Sequence, residues 1–308
     1  MTTLRAALDD YLRIRRQLGF ELKKEGRQLP GFVDFLEQAG AQHITTDLAV
    51  AWARLPVDAR PFTWRQRLGR VRGFARYLAT SDPDSEVPSE DLLPARQHRV
   101  APYIYSEQEI IALMAAARKL TLPLRAVTFE TAIGLMASTG LRIGEALGLD
   151  RHDVDLDDGV LHVRIAKQQR QREVPMHPTT TAALRTYARL RDQLRPSADT
   201  PAFFLNIRGG RLGDGTFHEV FPRLIREVGL EGCGQRVRPR PHDLRHAFAV
   251  RTLLDWHRAG SDVQRELPRL ATFLGHAHTQ HTYWYLEAVP ELLELIGRRL
   301  DGAFEEAR

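Results

Sequence analysis

Apolar residues recur at helical spacing through the first eighty positions. Leu4, Leu8, Leu12 and Leu18 follow Thr3, which can cap a helix there. Phe32, Phe35 and Leu36 mark a second helix, and Thr46 with Asp47 opens a third that runs through Trp52. In the segment FTWRQRLGRVRGFARYLA, from Phe62 to Ala79, residues Trp64, Leu68, Val71, Ala75 and Leu78 fall on one stripe. Arg65, Arg72 and Arg76 form a second stripe beside it, while Arg67 and Arg70 lie on the opposite flank. This stretch contains no acid, so the helix it predicts carries a strong local positive field.

The periodicity lapses over SDPDSEVPSEDLLPARQHRVAP, residues 81–102, which holds four prolines. That is linker composition. It predicts a helical domain over 1–85, a linker over 86–103 and a second domain over 104–308. The second domain opens with a capping-box pattern, Ser106 and Glu109, before the apolar run IIALMAAA. Helix continues over 121–149. VLHVRIA and REVPM then read as two strands around a polar turn. Residues 179–194 return to helix, AFFL at 202–205 predicts a short strand before a loop, and the remainder is helical with breaks near Gly232 to Pro241 and at Gly275. The predicted fold class is mainly α with a small β-sheet: an all-helical N-terminal domain followed by an α+β domain. There is no internal repeat and no low-complexity tract.

Composition narrows the function classes. The 308 residues are 43% hydrophobic and 27% charged, as in soluble globular proteins. Nowhere is there a run of about 18 apolar residues, so no membrane span is expected, and the N-terminus lacks signal-peptide character. The single cysteine, Cys233, excludes an internal disulfide and any Cys-rich metal site. It reads as an inert loop residue, and a reducing cytoplasm is the expected compartment. Lys and Arg total 44 against 39 acids, a net charge of +5, and arginine supplies most of the positive charge. Arginine favours forked contacts with phosphate or carboxylate, which points toward nucleic acid.

The second domain carries several patterns with chemical content. In TGLRIGEALGL, Arg142 follows a Thr-Gly turn at a helix start, with Glu145 three residues on; taken alone, this reads first as a surface ion pair. Lys167 sits in the hairpin Ile165-Ala166-Lys167-Gln168, where a lysine is ordinarily just solvated. RPRPHDLRHAFAV is denser: His242, Arg245 and His246 crowd the start of a helix, an arrangement that suits an anion. FLGHAHTQHTYWYLEA places His276 after a glycine and Tyr285 nine residues later. His242 and His246 also have the i,i+4 spacing of H-E-x-x-H zinc enzymes. Here Asp243 stands where the glutamate would be, and Arg245 would sit against the dication, so a metal hydrolase is the weaker reading.

In order and spacing these patterns resemble the tyrosine recombinases, the phage-integrase and Xer-like site-specific recombinases. The resemblance covers the whole second domain, and the helical first domain is similar to the family's core-binding domain. It implies a catalytic set of Arg142, Lys167, His242, Arg245, His276 and Tyr285. Tyr285 would attack a phosphodiester to give a 3′-phosphotyrosyl link, and Arg142 and Arg245 would hold the non-bridging oxygens. His242 and His276 would add hydrogen bonds and move protons, with Lys167 as general acid on the leaving 5′ oxygen. Two departures stand out: Ala-Lys-Gln replaces the family's frequent Gly-Lys-Gly, and Tyr283 lies close to Tyr285, which is chosen on its nine-residue spacing from His276. His246 is read as packing or orienting the helix, and Glu145 and Asp243 as orienting neighbouring arginines or histidines.

The resemblance further implies a two-domain protein without an arm-binding domain, needing no cofactor and no metal. It would form a C-shaped clamp on duplex DNA bearing specific recombination sites, with Arg65, Arg72 and Arg76 as the first domain's DNA-binding residues. No membrane and no small-molecule substrate are expected, and the setting is a prokaryotic cytoplasm, associated with the nucleoid. The last apolar helix, with Leu292, Leu295, Ile296, Leu300 and Phe304, is expected to pack on a neighbouring protomer in a homotetramer on synapsed DNA, or else in cis. A catalytically silent DNA-binding relative and a type IB topoisomerase remain the alternatives.

Overall fold

The computed structural model describes residues 3–93, 102–165, 170–231, 238–276 and 282–283. By internal packing the chain divides into two units, Met1–Arg99 and Val100–Arg308.

Among the described residues the first unit holds four helices: α1 (Leu4–Gln17), α2 (Lys23–Gln38), α3 (Thr46–Arg54) and α4 (Pro61–Leu78). Caps set their starts. The Thr3 hydroxyl accepts from the Ala6 N–H at 3.3 Å, and Thr45, not Thr46, caps α3 by accepting from Leu48 at 3.3 Å. Pro61 opens α4, where its missing N–H costs nothing. Leu8, Phe32, Leu36, Trp52, Leu68, Val71 and Phe74 form the core, whereas Leu18, predicted on the buried stripe of α1, lies beyond its end and is exposed. The chain leaving α4 stays with this unit. Ile44 N–H donates to Ser85 Oγ at 3.0 Å, and Leu93 joins the core, so the first part of the expected linker packs against the helices.

The second unit begins with buried Tyr103 and Tyr105 and the capping box of α5 (Glu107–Arg118), in which Ser106 N–H donates to Glu109 Oε2 at 2.7 Å and Glu109 N–H to Ser106 Oγ at 3.2 Å. Next is α6 (Pro123–Thr139), apolar on nearly every face, and it packs against α5, α8 (Pro178–Leu194) and α10 (Asp243–Arg258) as the central helix. Helix does not run unbroken to residue 149: Gly140 ends α6 at φ 63°, and α7 (Ile143–Gly148) starts afresh after Arg142. A three-stranded antiparallel sheet follows, ordered β1 (Val154–Asp155), β2 (Val160–Ile165) and β3 (Arg170–Pro175). The strand expected at 202–205 is instead an irregular segment making single bridges, Ala202 with Asp150 and Leu205 with Arg211. Helices α9 (Asp214–Glu227), α10 and α11 (Val263–Leu274) complete the described part, α10 and α11 being parted by a turn at Gly260 that the sequence reading missed.

Candidate active site

Three elements of the second unit converge on the C-terminus of α11. Arg142 occupies the position before α7; its N–H donates to Glu145 Oε2 at 3.0 Å and its Nη1 to Glu145 Oε1 at 2.7 Å. Its Nη2 donates to the Gly275 carbonyl at 3.2 Å, and the side chain is still 38% exposed. Arg245, on the first turn of α10, is only 1% exposed and donates to the carbonyls of Gly140 at 2.8 Å and Leu274 at 2.6 Å. Arg172 of β3 donates through Nε to the Phe273 carbonyl at 2.9 Å. Three guanidiniums therefore meet three successive carbonyls, 273 to 275, at the negative end of a helix dipole. His276 follows directly, with Nδ1 at 2.8 Å from Thr282 Oγ1.

The histidines of α10 complete the cluster. The rings of His242 and His246 meet edge to face, with centroids 4.7 Å apart. Burial of the ring, then the charges of Arg245, Arg142 and Arg240, push His242 down to about 4, although the residue keeps an exposed edge. Burial, then His242, Arg245, Arg240 and His276, push His246 down to about 3. Glu145 goes the other way. Burial alone would raise its carboxyl, but Arg172, then Arg142, overcome that and hold it at about 2. Asp243 is fully buried, and burial raises its carboxyl against the pull of Arg240, whose N–H donates to it at 2.8 Å. The Asp243 carboxylate thus fastens the Arg-Pro-Arg-Pro segment to the helix, and it is engaged there instead of serving a metal-bound water.

The arrangement gathers Arg142, His242, Arg245, His246 and His276 around one concentration of positive charge that suits an anion with several oxygens. Lys167 and Tyr285 lie outside the described residues, as do Cys233 and the segment predicted as a last helix, with Leu292, Leu295, Ile296, Leu300 and Phe304. The strands that carry the Lys167 hairpin are described; Tyr283 is described too, at 39% exposed. Arg172 was missed as a site residue. The signal was available: it alternates with Val174, which is fully buried, so a charge stands on the core face of a strand.

The first unit's arginines divide. Arg72 is buried and donates to the carbonyls of Pro88 at 2.7 Å and Ser89 at 2.6 Å, so it tethers the segment after α4 and does not present itself to a ligand. Its place on the predicted basic stripe is corrected by that turn inward: the stripe borders the core, and the long side chain reaches over to the returning chain. Arg76 is exposed with Glu90 at 3.2 Å, and Arg65 is half-buried. On the opposite flank Arg67 stacks over Trp52, 3.8 Å from the ring centroid.

Comparison with known proteins gives concordant results. The phage integrase family matches residues 104–291. A Sinorhizobium fredii protein named integrase/recombinase y4rB is 44% identical over 312 residues, covering 99% of each chain. Among solved structures, the XerH site-specific recombinase on palindromic difH substrate, a post-cleavage complex, superposes with a TM-score of 0.65 at 18% identity, covering 86% of this chain and 76% of that one. A lambda integrase tetramer bound to a Holliday junction gives 0.62 at 19%, covering 91% and 79%.

Proposed function

The chain belongs to the phage integrase family of tyrosine recombinases, and from that premise we propose that it cuts and rejoins duplex DNA at specific sites through Tyr285. In the cleavage step the Tyr285 oxygen forms a bond to phosphorus, the bond from phosphorus to the 5′ oxygen breaks, and a 3′-phosphotyrosyl link replaces it. The phenol proton passes to a histidine of the pocket, His242 or His276, and Lys167 gives a proton to the departing 5′ oxygen. Arg142 and Arg245 hold the non-bridging oxygens as negative charge builds on them. The observation that carries this reading is the convergence of Arg142 and Arg245 on the end of α11 beside His276. Rejoining is the same step reversed with another 5′ hydroxyl, so bond energy is conserved without a nucleotide cofactor.

The reading extends to assembly and setting. A homotetramer on two synapsed sites, held together through the C-terminal segment, acts on DNA in the cytoplasm at the nucleoid, in element integration, excision or replicon resolution. The lambda integrase tetramer on a Holliday junction supports this by shared fold. In the first unit Arg65 and Arg76 of α4 face phosphate, without Arg72. No helix among the described residues is long and apolar enough to cross a membrane. The test is a suicide substrate nicked beside the cleavage point, built on a junction sequence recovered from cells. Wild type is expected to attach covalently to a DNA 3′ end, Tyr285→Phe to bind without attaching, and Tyr283→Phe to attach still. DNA binding with no adduct from wild type would identify a silent DNA-binding relative.

A further inference from the structure

We propose that Arg172 is a positioning residue of the cleavage site, tying the Arg142 turn to the His276 segment through a single guanidinium. The proposal rests on the reading of Arg142 and His276 as phosphate-handling groups. Arg172 sits on β3 opposite Val163 of β2, on the sheet face turned to the core, and its side chain is 9% exposed. Its Nη1 and Nη2 donate to the two oxygens of Glu145 at 3.1 and 2.8 Å, a two-pronged contact, while Nε donates to the Phe273 carbonyl at 2.9 Å. Both Glu145 oxygens also accept from Arg142, one from its backbone and one from its side chain. Glu145 is therefore held between two arginines, of which one is buried and the other opens to the pocket.

Gly275 gives an independent view of the same contact. A Cβ built on Gly275 would lie 2.6 Å from Arg172 Nη1, so the arginine fills the space that this glycine leaves. Lysine could not replace it, because one ammonium can reach the carboxylate or the carbonyl but cannot fork across both. A buried ion pair is also a weak device for stability, since well-packed apolar residues often do as well. What the pair supplies here is register. It sets where Arg142 points and where α11 ends, and so where His276 begins.

The measurement is single-turnover cleavage of a suicide substrate together with DNA affinity, on the full-length protein. Arg172→Gln is expected to bind DNA within about twofold of wild type and to cleave at least tenfold more slowly. In a Glu145→Gln background the same change should cost no more than about twofold, since the two act as one unit. Cleavage within twofold of wild type, losses that multiply, or affinity falling in step with rate would each overturn the proposal. If Arg172→Gln does not fold, Arg172→Lys is read by the same thresholds. No adduct from wild-type protein would instead count against the recombinase reading, which keeps the two failures apart.

Discussion

Burial and nearby charge hold two imidazoles neutral well below their ordinary range: His242, still partly open to solvent, down to about pH 4, with Arg245 then Arg142 the leading charges, and His246 down to about pH 3, with His242 then Arg245 leading. In an unfolded chain both would take up protons near their ordinary value of about 6.5. Their contribution to stability is therefore complete above about pH 6.5 and is lost as pH falls toward the folded values, because the unfolded state then binds more protons. Glu145 adds a second window. Its carboxyl lies at about 2, below the usual carboxylate range, so its contribution is present above the unfolded value of about 4.5 and disappears as pH falls toward 2. Melting curves are expected to show Tm declining from near pH 6.5 downward. His246→Gln should flatten the decline between about pH 6.5 and 4.5 while keeping the fall below it; a wild-type Tm that is constant down to pH 5 would contradict this. The two arginines proposed to hold the phosphate should separate in the same assays. Arg142→Ala is expected to leave Tm nearly unchanged and slow cleavage by about 10²–10³-fold. Arg245→Ala also withdraws donors from the buried carbonyls of Gly140 and Leu274, at about 1–3 kcal/mol each, and should lower Tm as well as rate.

At the scale of elements, caps and returning chain segments decide more than the helices' own stripes. Ser106→Ala removes the capping box of α5 and should cost about 1 kcal/mol in denaturant unfolding without touching DNA affinity. Arg72→Gln should destabilise the first unit by withdrawing donors from two carbonyls, while leaving the salt dependence of DNA binding unchanged; a flattened salt slope would restore Arg72 to the DNA-facing stripe. Most of the helices were legible because their period and punctuation agree: Thr3, Pro61, Ser106 and Gly140 each mark a boundary with a local physical cause. Arg142, His242, Arg245 and His276 were legible for a different reason, since each lies inside a short motif. Arg72 was misjudged because a helical wheel gives angular position, whereas the side chain's direction depends on a segment that returns sixteen residues later. The segment at 202–205 has strand-like residues, but Ala202 and Leu205 find only single bridge partners. Arg172 stayed hidden because its three partners come from two elements distant in sequence.

For the whole molecule, the sequence's net charge of +5 is less informative than where its arginines are engaged. DNA affinity should fall steeply with salt, and changing Arg65 and Arg76 together to Ala should flatten that dependence, as measured by titration at several ionic strengths. Cleavage should persist in excess chelator, because Asp243 is engaged by Arg240 and the guanidiniums supply the charge stabilisation; activity lost to chelator and restored by zinc would revive a metal role for His242 and His246. The depressed imidazoles also make the free protein a reservoir of unfilled proton sites. A phosphate entering beside Arg142 and Arg245 brings negative charge to His242 and His246 and favours their protonated forms. Docking on DNA should then draw in protons on the acid side of neutrality, and there calorimetric binding heats should differ between buffers of different ionisation enthalpy at equal affinity. Near neutrality the imidazoles stay free to take the phenol proton, whereas in a mildly acidic medium the protons drawn in on arrival lengthen the protein's stay on the duplex.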